Sequence, residues 1–461
     1  MGRGRTRVLW LLVALLFAVG AVGKGASRGV HGKPLPRQRP DVVSSQFHAF
    51  FYLWYGEPDT DSRWKHWNHS RLPHWNEGED GRGKNGGQLP RHYFDRREPS
   101  PPESVHSRYY PHRGCYSSLN KKVLRDQLKE LRDRAGVGVV VASWTGRPEE
   151  HQGEEERKEL QTTDSQKINT DPALRQLLAA AEEVGVKVAI HLEPYHGRTA
   201  ASVRRDIEYL HREFFAKSSA IYRYPRARRV QEEGKKEEER LPVVYIYDSY
   251  LIPSEDWADV LSDTGKNTVR GTEFDITALA LLLKKEELSD VKKAGFDGVY
   301  TYFAAEGMSD ASLSRQWKQL GQAVRAAGLM FSPSVGPGYD DTNIRPWNTM
   351  MKRDRRSGEY YHSMLASAIS AQPDFVSITS YNEWGEGTQI EPARPRHDNS
   401  VVAEEDYSPG SPYKYLEITK DFVAKVVDGE DMMRAEDVGL EIKVEDAEPS
   451  STLSSNRSGY Q

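Results

Sequence analysis

The sequence predicts a (β/α)8 barrel of the TIM type, preceded by an N-terminal apolar segment and a stem. Eight short apolar runs, rich in β-branched and aromatic residues, alternate with helical patterns. This alternation is typical of a parallel sheet covered on both faces. No glycine-rich phosphate loop follows the first run, and this favours the barrel. A doubly wound open sheet remains the alternative fold.

Composition places the body of the chain among soluble globular proteins. Of its 461 residues, 29% are charged and 37% hydrophobic, and the formal net charge is −4. A chain without a basic excess gives no support to nucleic acid as a partner. The single cysteine, Cys115, excludes an intramolecular disulfide and a disulfide-rich scaffold.

The N-terminus predicts entry into the secretory pathway. Arg3, Arg5 and Arg7 precede an apolar run over residues 8–22, which is the pattern of a secretory signal or a short signal-anchor. An uncleaved segment with basic residues on this side would leave the N-terminus cytoplasmic and the rest of the chain lumenal. We therefore expect membrane contact through this N-terminal segment only.

The predicted organisation has four parts. They are a basic tip and signal or signal-anchor segment at 1–24, a flexible stem at 25–45, a barrel at 46–427 and an acidic, Ser-rich disordered tail at 428–461. Two N-glycosylation sequons, at Asn68 and Asn456, fit a lumenal compartment. We expect Asn68 to be unoccupied, because a glycan there would lie near the predicted binding cleft.

The elements of the barrel follow one another in a regular order. The predicted strands are Phe47–Tyr52, Val137–Ala142, Val186–His191, Pro242–Tyr247, Ile276–Leu283, Gly298–Phe303, Leu329–Ser334 and Phe375–Ser380. The predicted helices are Leu119–Arg134, Pro172–Val184, Ala200–Phe215, Ser312–Ala327 and Tyr360–Ser370. Two charge-dense segments, Arg147–Lys167 and Arg226–Arg240, are predicted to be solvated loops.

Polar and aromatic side chains gather where these strands end. In a parallel barrel the carboxyl ends of the strands meet at one rim, where function collects. The residues at this rim include Tyr52, Trp54, Trp144, Glu193, Asp248, Tyr302, Arg345, Asn382, Glu383, Trp384 and Glu386. Aromatic rings stack on sugar faces, and carboxylates and amides bind sugar hydroxyls, so this rim suits a carbohydrate.

Glu383 and Glu386 are the most informative pair. They lie three residues apart, directly after the last predicted strand. Glycoside hydrolysis needs two carboxyl groups, one protonated and one ionised, and like charges held close together push their pKa values apart. Two surface glutamates at a helix N-terminus are the competing interpretation, since negative charge is favoured there.

The other rim residues also have purely structural interpretations. Tyr52, Trp144 and Tyr302 are explained equally by packing, Glu193 by an ion pair with Arg198, and Arg345 by an ion pair with Asp340 or Asp341. His66, His69 and His74 lack the spacing of a zinc motif, and no cysteine cluster supports one. No metal is therefore expected.

Seven segments resemble glycoside hydrolase family 99, the glycoprotein endo-α-1,2-mannosidases. They are residues 47–56 (FHAFFYLWYG), 66–75 (HWNHSRLPHW), 191–198 (HLEPYHGR), 243–251 (VVYIYDSYL), 294–304 (AGFDGVYTYFA), 330–348 (MFSPSVGPGYDDTNIRPWN) and 376–392 (VSITSYNEWGEGTQIEP). Together they extend over about residues 45 to 425, which is essentially the whole predicted barrel.

The resemblance implies a (β/α)8 barrel that cleaves an internal α-1,2-mannosidic bond with retention. The implied substrates are glucosylated high-mannose N-glycans on glycoproteins, from which a glucosyl-mannose fragment is released. The implied location is the Golgi membrane, as a single-pass type II protein with a lumenal barrel. A catalytically silent, lectin-like member and an α-mannan-degrading relative are the alternatives.

The resemblance also implies roles for single residues. Glu383 matches the base that deprotonates the sugar 2-hydroxyl, giving a 1,2-anhydro sugar, and Glu386 matches the acid that protonates the leaving oxygen and then activates water. The implied sugar-binding residues are Tyr52, Trp144, Glu193, Tyr302 and Arg345, and no cofactor or metal is implied. Gly385 stands where animal members are expected to have a histidine.

Overall fold

The computed structural model describes residues 42–72, 99–227, 238–395 and 405–428. The apolar run at 8–22, most of the stem, His74, Asn456 and the tail beyond residue 428 lie outside the described residues. Within the described ranges, no helix is long and apolar enough to cross a membrane.

The strands form one parallel path around a barrel. They are β1 (Ser44–Phe51), β2 (Val137–Trp144), β3 (Lys187–Leu192), β4 (Arg223–Ala227), β5 (Glu238–Ile246), β6 (Thr277–Leu281), β7 (Gly298–Tyr300), β8 (Met330–Ser332), β9 (Ser334–Val335) and β10 (Val376–Ile378). The path runs β8-β7-β6-β5-β3-β2-β1-β10-β9, and all its pairings are parallel. All eight predicted strands are present, and the predicted (β/α)8 barrel is confirmed.

The seventh predicted strand is divided at Pro333. Its first part, β8, pairs with β7, and its second part, β9, pairs with β10. Proline has no N–H to donate to a sheet, so it marks the change of partner. The carbonyl of Pro333 still accepts a hydrogen bond from Ser377 N at 3.1 Å. The ring of strands is therefore completed through this broken strand.

Helices cover the outside of the barrel. They are α1 (Pro58–Asp61), α2 (Lys121–Lys129), α3 (Glu156–Glu159), α4 (Asp171–Val184), α5 (Ala200–Leu210), α6 (Ser254–Leu261), α7 (Leu288–Lys293), α8 (Trp317–Ala326), α9 (Glu359–Ser370) and α10 (Lys414–Val427). Each of the five predicted helices is found. The helices α2 and α5 continue as wider π-turns over Glu130–Ala135 and His211–Phe215.

Local sequence explains where these helices begin and end. Asn120 caps α2 by accepting hydrogen bonds from Lys122 N and Val123 N. Thr199 and Ser202 cap α5 reciprocally. The helix α4 ends at Gly185, whose φ of +81° lies in the left-handed region that glycine adopts most easily.

Aromatic rings and the side chains of His48 and His191 fill the barrel interior. His48 Nδ1 lies 2.7 Å from the Tyr245 hydroxyl, and His191 Nε2 lies 3.0 Å from the Tyr300 hydroxyl. Burial lowers the pKa of His48 to about 3, so this imidazole is uncharged. Phe50 packs between these rings, with centroid distances of 4.7 Å to His191 and 5.6 Å to Tyr245.

The segment Arg147–Lys167 is exposed over most of its length, as predicted, but buried residues that the prediction missed anchor it to the barrel. Arg147 is 5% exposed and bonds Asp206 at 2.7 Å and Glu156 at 2.9 Å. Gln152 and Thr162, from the same loop, are also buried. The loop folds back because the charge of Arg147 finds partners inside it and on α5, and a buried charge needs such partners.

The second charge-dense segment, Arg226–Arg240, is only partly a loop. Residues at both of its ends form an antiparallel hairpin, in which Arg226 pairs with Glu239 and Ala227 with Glu238. Residues 228–237 lie outside the described residues. The prediction is therefore corrected for the ends of the segment.

Arg270 joins several elements at the amino-terminal end of the barrel. Its side chain is buried and donates to the carbonyls of Leu261, Ile276 and Gly295. It also pairs with Asp275 at 3.0 Å and Asp297 at 2.9 Å. These contacts link the end of α6 to the starts of β6 and β7.

We expect Arg270→Met to lower the free energy of unfolding by about 3–5 kcal/mol, because it leaves buried carboxylates without their cation. Urea denaturation measures the change. Lys122→Met is the matched control: Lys122 pairs with Asp126 but is 74% exposed, so a change below about 0.5 kcal/mol is expected. Equal effects of the two variants would contradict the role of Arg270.

Candidate active site

Glu383 and Glu386 lie on the segment that follows β10, at the carboxyl rim of the barrel. The Glu383 backbone N–H donates to Ser380 Oγ at 2.7 Å, and Glu383 Oε1 accepts from Gly385 N at 3.0 Å. The carbonyl of Glu386 accepts from Asp340 N at 2.8 Å. Backbone bonds on both sides thus fix the main chain that carries the two glutamates, which supports the catalytic interpretation over two surface glutamates.

Asn382 ties this segment to the end of β1. Its Oδ1 accepts from Tyr52 N at 2.7 Å, and its Nδ2 donates to Tyr52 O at 3.0 Å. Its own carbonyl accepts from the Tyr55 hydroxyl at 2.9 Å. Asn382 is completely buried, so it acts as a clamp between two strands and presents no face to a ligand.

Trp384 points away from the rim into a polar cluster around Glu391. Its Nε1 donates to Glu391 Oε2 at 3.0 Å. The same buried carboxylate accepts from Arg113, Tyr116 and Gln127 at 2.7 to 2.8 Å. In the sequence, Asn382 and Trp384 are the neighbours of the glutamate pair. In the structure, both side chains are buried and hold the backbone of the segment that carries Glu383 and Glu386.

Burial dominates the electrostatics of the glutamate pair. Burial and the charge of Glu386 raise the pKa of Glu383 well above its ordinary value, against the opposing effect of Arg345. Burial also raises the pKa of Glu386, but Arg345 Nη1 lies 3.4 Å from Glu386 Oε1 and favours its ionised form. The environments of the two carboxyl groups therefore favour a proton on Glu383 over one on Glu386.

Arg345 reaches the pair from the segment that follows β9. Its Nη1 pairs with Asp341 Oδ2 at 3.1 Å, so the predicted ion pair with Asp341 exists beside the contact with Glu386. Asn348 Nδ2 donates to the same Asp341 oxygen at 2.9 Å. Asp341 thereby orients Arg345 towards Glu386.

Tyr52 and Tyr302 face each other across the barrel mouth and are joined by a hydrogen bond between their hydroxyl groups. Tyr302 has a φ of +55°, a strained conformation for a bulky residue. Its backbone N–H donates to Ser334 Oγ at 2.7 Å, which holds this conformation. The strain turns the ring of Tyr302 over His191, at a centroid distance of 5.5 Å.

Glu193 is the third carboxylate near the site. Its Oε1 lies 3.1 Å from His191 Nδ1, while Arg198, its expected partner, donates to the Asp248 carbonyl. The charge of Glu193 raises the pKa of Tyr52, Tyr302, Glu383 and Glu386, after larger effects of burial. Glu193 therefore lies close to all of them.

Trp144 is not part of this group, and its assignment to sugar binding is wrong. Its side chain is completely buried, its Nε1 donates to Asp171 Oδ1 at 3.2 Å, and its ring stacks on Tyr209. These partners belong to α4 and α5, so Trp144 faces the helices. The preceding residue, Ser143, lies on the opposite face of β2 because side chains alternate along a strand. A fully buried ring has no surface for a sugar.

Three residues near the glutamate pair were not predicted. Tyr339 donates to Asp341 at 2.9 Å, and burial, then the charge of Glu386, raises its pKa. Tyr247 packs on Tyr302 at 4.6 Å. His106 lies beside Gly385. Tyr247 ends the fourth predicted strand and Tyr339 lies in the segment that follows the seventh, a signal that was available, whereas no motif surrounds His106.

No cluster of three or more His, Cys, Asp or Glu side chains arranged for a metal is found in the part of the chain that the structure describes. His66 Nε2 contacts Asp164 Oδ2 at 2.7 Å, and His69 Nδ1 donates to the Ser70 carbonyl at 2.6 Å. Both histidines thus have protein partners.

Residues 42–428 match the model of glycosyl hydrolase family 99. The chain belongs to this family. It is 39% identical to the human glycoprotein endo-alpha-1,2-mannosidase-like protein over 380 residues, which are 82% of this chain and 75% of the human protein. It is 36% identical to the rat (Rattus norvegicus) glycoprotein endo-alpha-1,2-mannosidase over 378 residues, 82% of this chain and 74% of the rat protein.

Structure agrees with sequence in this family assignment. The GH99 endo-alpha-mannosidase from Bacteroides thetaiotaomicron superposes with a TM-score of 0.70 at 33% identity, covering 85% of this chain and all of the bacterial chain. This member of family 99 is therefore a glycoside hydrolase that acts on mannose glycans, and the resemblance seen in its sequence is confirmed.

Trp144→Phe tests whether Trp144 of this family 99 enzyme stabilises the fold without binding the sugar. We expect the free energy of unfolding to fall by about 1–3 kcal/mol, because the buried Asp171 loses a donor. The KM should not change, since Trp144 is not in the site. Tyr302→Phe, which removes a hydroxyl inside the site, should lower kcat/KM by about tenfold. A raised KM in Trp144→Phe with unchanged stability would contradict this assignment.

Proposed function

We propose that this protein is a retaining endo-α-1,2-mannosidase acting on glucosylated high-mannose N-glycans, from which it releases a glucosyl-mannose fragment. The observation that carries the proposal is the pair formed by the buried Glu383 and the partly exposed Glu386, of which only Glu386 is ion-paired with Arg345. The names of the human and rat relatives support the linkage.

The environment of Glu383 suits a base that acts on the sugar. Its Oε1 is held by Gly385 N, while its buried Oε2 has no hydrogen-bond partner among the described residues. An unpartnered buried carboxylate oxygen is costly, and a substrate hydroxyl in the site would satisfy it. In an α-mannoside the 2-hydroxyl is trans to the leaving group, so it is placed for attack on C1.

The proposed reaction has two steps with opposite proton flow. Glu383 takes the 2-hydroxyl proton, O2 bonds to C1 to give the 1,2-anhydro sugar, and the bond from C1 to the leaving oxygen breaks as Glu386 protonates that oxygen. Water then attacks C1, giving a proton to Glu386, while the C1–O2 bond breaks and Glu383 returns the proton to O2. Two inversions at C1 give net retention.

These roles place a requirement on substrate binding. In the free protein, burial and Glu386 favour the protonated form of Glu383, while Arg345 favours charge on Glu386. The proposed roles reverse this preference, since Glu386 must carry the proton when the bond is cut. We infer that a bound sugar weakens the contact between Arg345 and Glu386, which at 3.4 Å is already long.

Substrates with different leaving groups test the roles of the two glutamates. On an N-glycan, Glu383→Gln and Glu386→Gln should each lower kcat by about 10²–10⁴-fold. On a glucosyl-mannosyl fluoride, whose leaving group needs no proton, Glu386→Gln should recover most of the rate of the first step, measured as fluoride release in the first turnover, while Glu383→Gln should not. Initial rates measure both.

Glu255→Gln is the control for these variants, since Glu255 is 70% exposed on α6 and should leave both rates unchanged. Recovery of Glu383→Gln in place of Glu386→Gln would reverse the two roles. Losses below tenfold in both variants would contradict the pair as the catalytic centre.

We further propose that the enzyme is a type II Golgi membrane protein with its barrel in the lumen. The basic and apolar pattern of residues 1–24 supports this orientation.

Asn68 is exposed and lines a cavity of about 460 Å³ together with Arg63, Trp64 and Gln166. That Asn68 is unmodified stays a prediction from the sequence.

Product analysis tests the proposed substrate. We expect the full chain, incubated with a monoglucosylated high-mannose N-glycan, to release a glucosyl-mannose disaccharide that mass spectrometry detects. Binding without any product would instead indicate a lectin-like member, an outcome that the intact glutamate pair argues against. Preferential cleavage of α-mannan would indicate a polymer-degrading relative.

A further inference from the structure

Gly385, between Trp384 and Glu386, has no room for a side chain. An ideal Cβ at this position would lie 2.6 Å from Ile344 Cδ1, 2.9 Å from His106 Nε2 and 3.0 Å from Glu383 Oε1. The first two separations are shorter than real Cβ contacts and the third is tighter than most of them, and all three contacts are with the ends of side chains. The space beside the glutamate pair is thus filled from a distant part of the chain, and His106 Nε2 and Glu383 Oε1 border the same point.

His106 is buried where it fills this space, and its Nδ1 has no hydrogen-bond partner among the described residues. It is 3% exposed, and its backbone N–H donates to the Trp67 carbonyl at 3.2 Å. Its ring lies 6.1 Å from the ring of His69. Burial, followed by the nearby His69 and His66, lowers the pKa of His106 well below its ordinary value, so the imidazole is neutral.

We propose that His106 is a positioning residue for Glu383. The imidazole of His106 takes the space that Gly385 leaves, and it keeps the Glu383 carboxyl group fixed and shielded from water. The proposal rests on the proposed role of Glu383 as the base. Glu383 Oε1 receives one hydrogen bond, from Gly385 N, and Oε2 has no partner among the described residues. Hydrogen bonds alone therefore fix this carboxyl group only loosely, and its rotamer depends on packing.

A neutral ring suits this role better than a charged one. A cationic side chain beside Glu383 would stabilise its charge and oppose the effect of burial. The titratable groups that already face Glu383 come from several segments. Glu386 lies on the same segment as Glu383, Arg345 follows β9, Glu193 follows β3, and Tyr52 and Tyr55 follow β1. The variants considered below leave all of them in place.

The geometry makes a reciprocal prediction. One imidazole fits in the space, and it can be supplied from residue 106 or from residue 385, but not from both. His106→Gly empties the space, Gly385→His overfills it, and the double variant supplies one ring from the other side. Coupling between the two positions is therefore expected to be strong and favourable.

The test uses the full-length enzyme and measures kcat, KM and the pH profile of kcat/KM. His106→Gly should lower kcat by about 10- to 100-fold, since small displacements of a reacting group have this effect. Because burial raises the pKa of Glu383, admitting water should lower it and move the acid limb of the profile to lower pH. The double variant should recover kcat to within about threefold of the parent and restore the limb.

His112→Gly is the matched control, since His112 is exposed and should change neither rate nor profile. Melting temperatures of all variants show whether a loss of rate is a loss of folded protein. Parent-like kcat and pH profile in His106→Gly would overturn the proposal, as would a double variant no better than the worse single one. If Glu383→Gln instead retains activity, Glu383 is not the base. This result contradicts the proposed function, whereas the results with His106→Gly contradict only the positioning role of His106.

Discussion

The paired hydrogen bonds between Asn382 and the backbone of Tyr52 are the contact on which the site depends. They join the end of β1 to the segment after β10, the first and last strands of the barrel in chain order. The position of Glu383 follows from this joint on one side, and that of the Tyr52 ring, bonded to Tyr302, follows on the other. An amide side chain suits the place because it donates and accepts at once. The same two bonds thus connect the pairing of β1 and β10 to the geometry of the active site.

The rest of the site is built by supports that never meet a substrate. Glu391 gathers Trp384, Arg113, Tyr116 and Gln127 beneath the segment that carries the glutamates. The guanidinium of Arg355 donates to the carbonyls of Gly387 and Gln389, just beyond Glu386. Such buried polar groups rigidify a structure only when their partners are in place. The motif around Glu383 and Glu386 is therefore a structural unit as much as a catalytic one.

The sequence predicts elements well where local pattern decides them, and less well where distant contacts do. All eight strands were found because each is a compact apolar run. Trp144 was misplaced because its orientation depends on which face of β2 meets the barrel interior. Arg147 was taken for a solvated residue because its partner Asp206 lies far along the chain. No motif in the sequence around His106 indicates a role, since that role depends on the space beside Gly385, far along the chain.

The anchored loop after β2 has a consequence for how this scaffold can change. Arg147 and Thr162 are buried near its two ends, while residues 153–155 between them are exposed. Sequence can therefore be exchanged or inserted at the crest of the loop without disturbing its base, which is the arrangement that protein engineers seek when they graft new recognition segments onto a barrel. The same arrangement offers evolution a place to diversify specificity while the glutamate pair stays as it is.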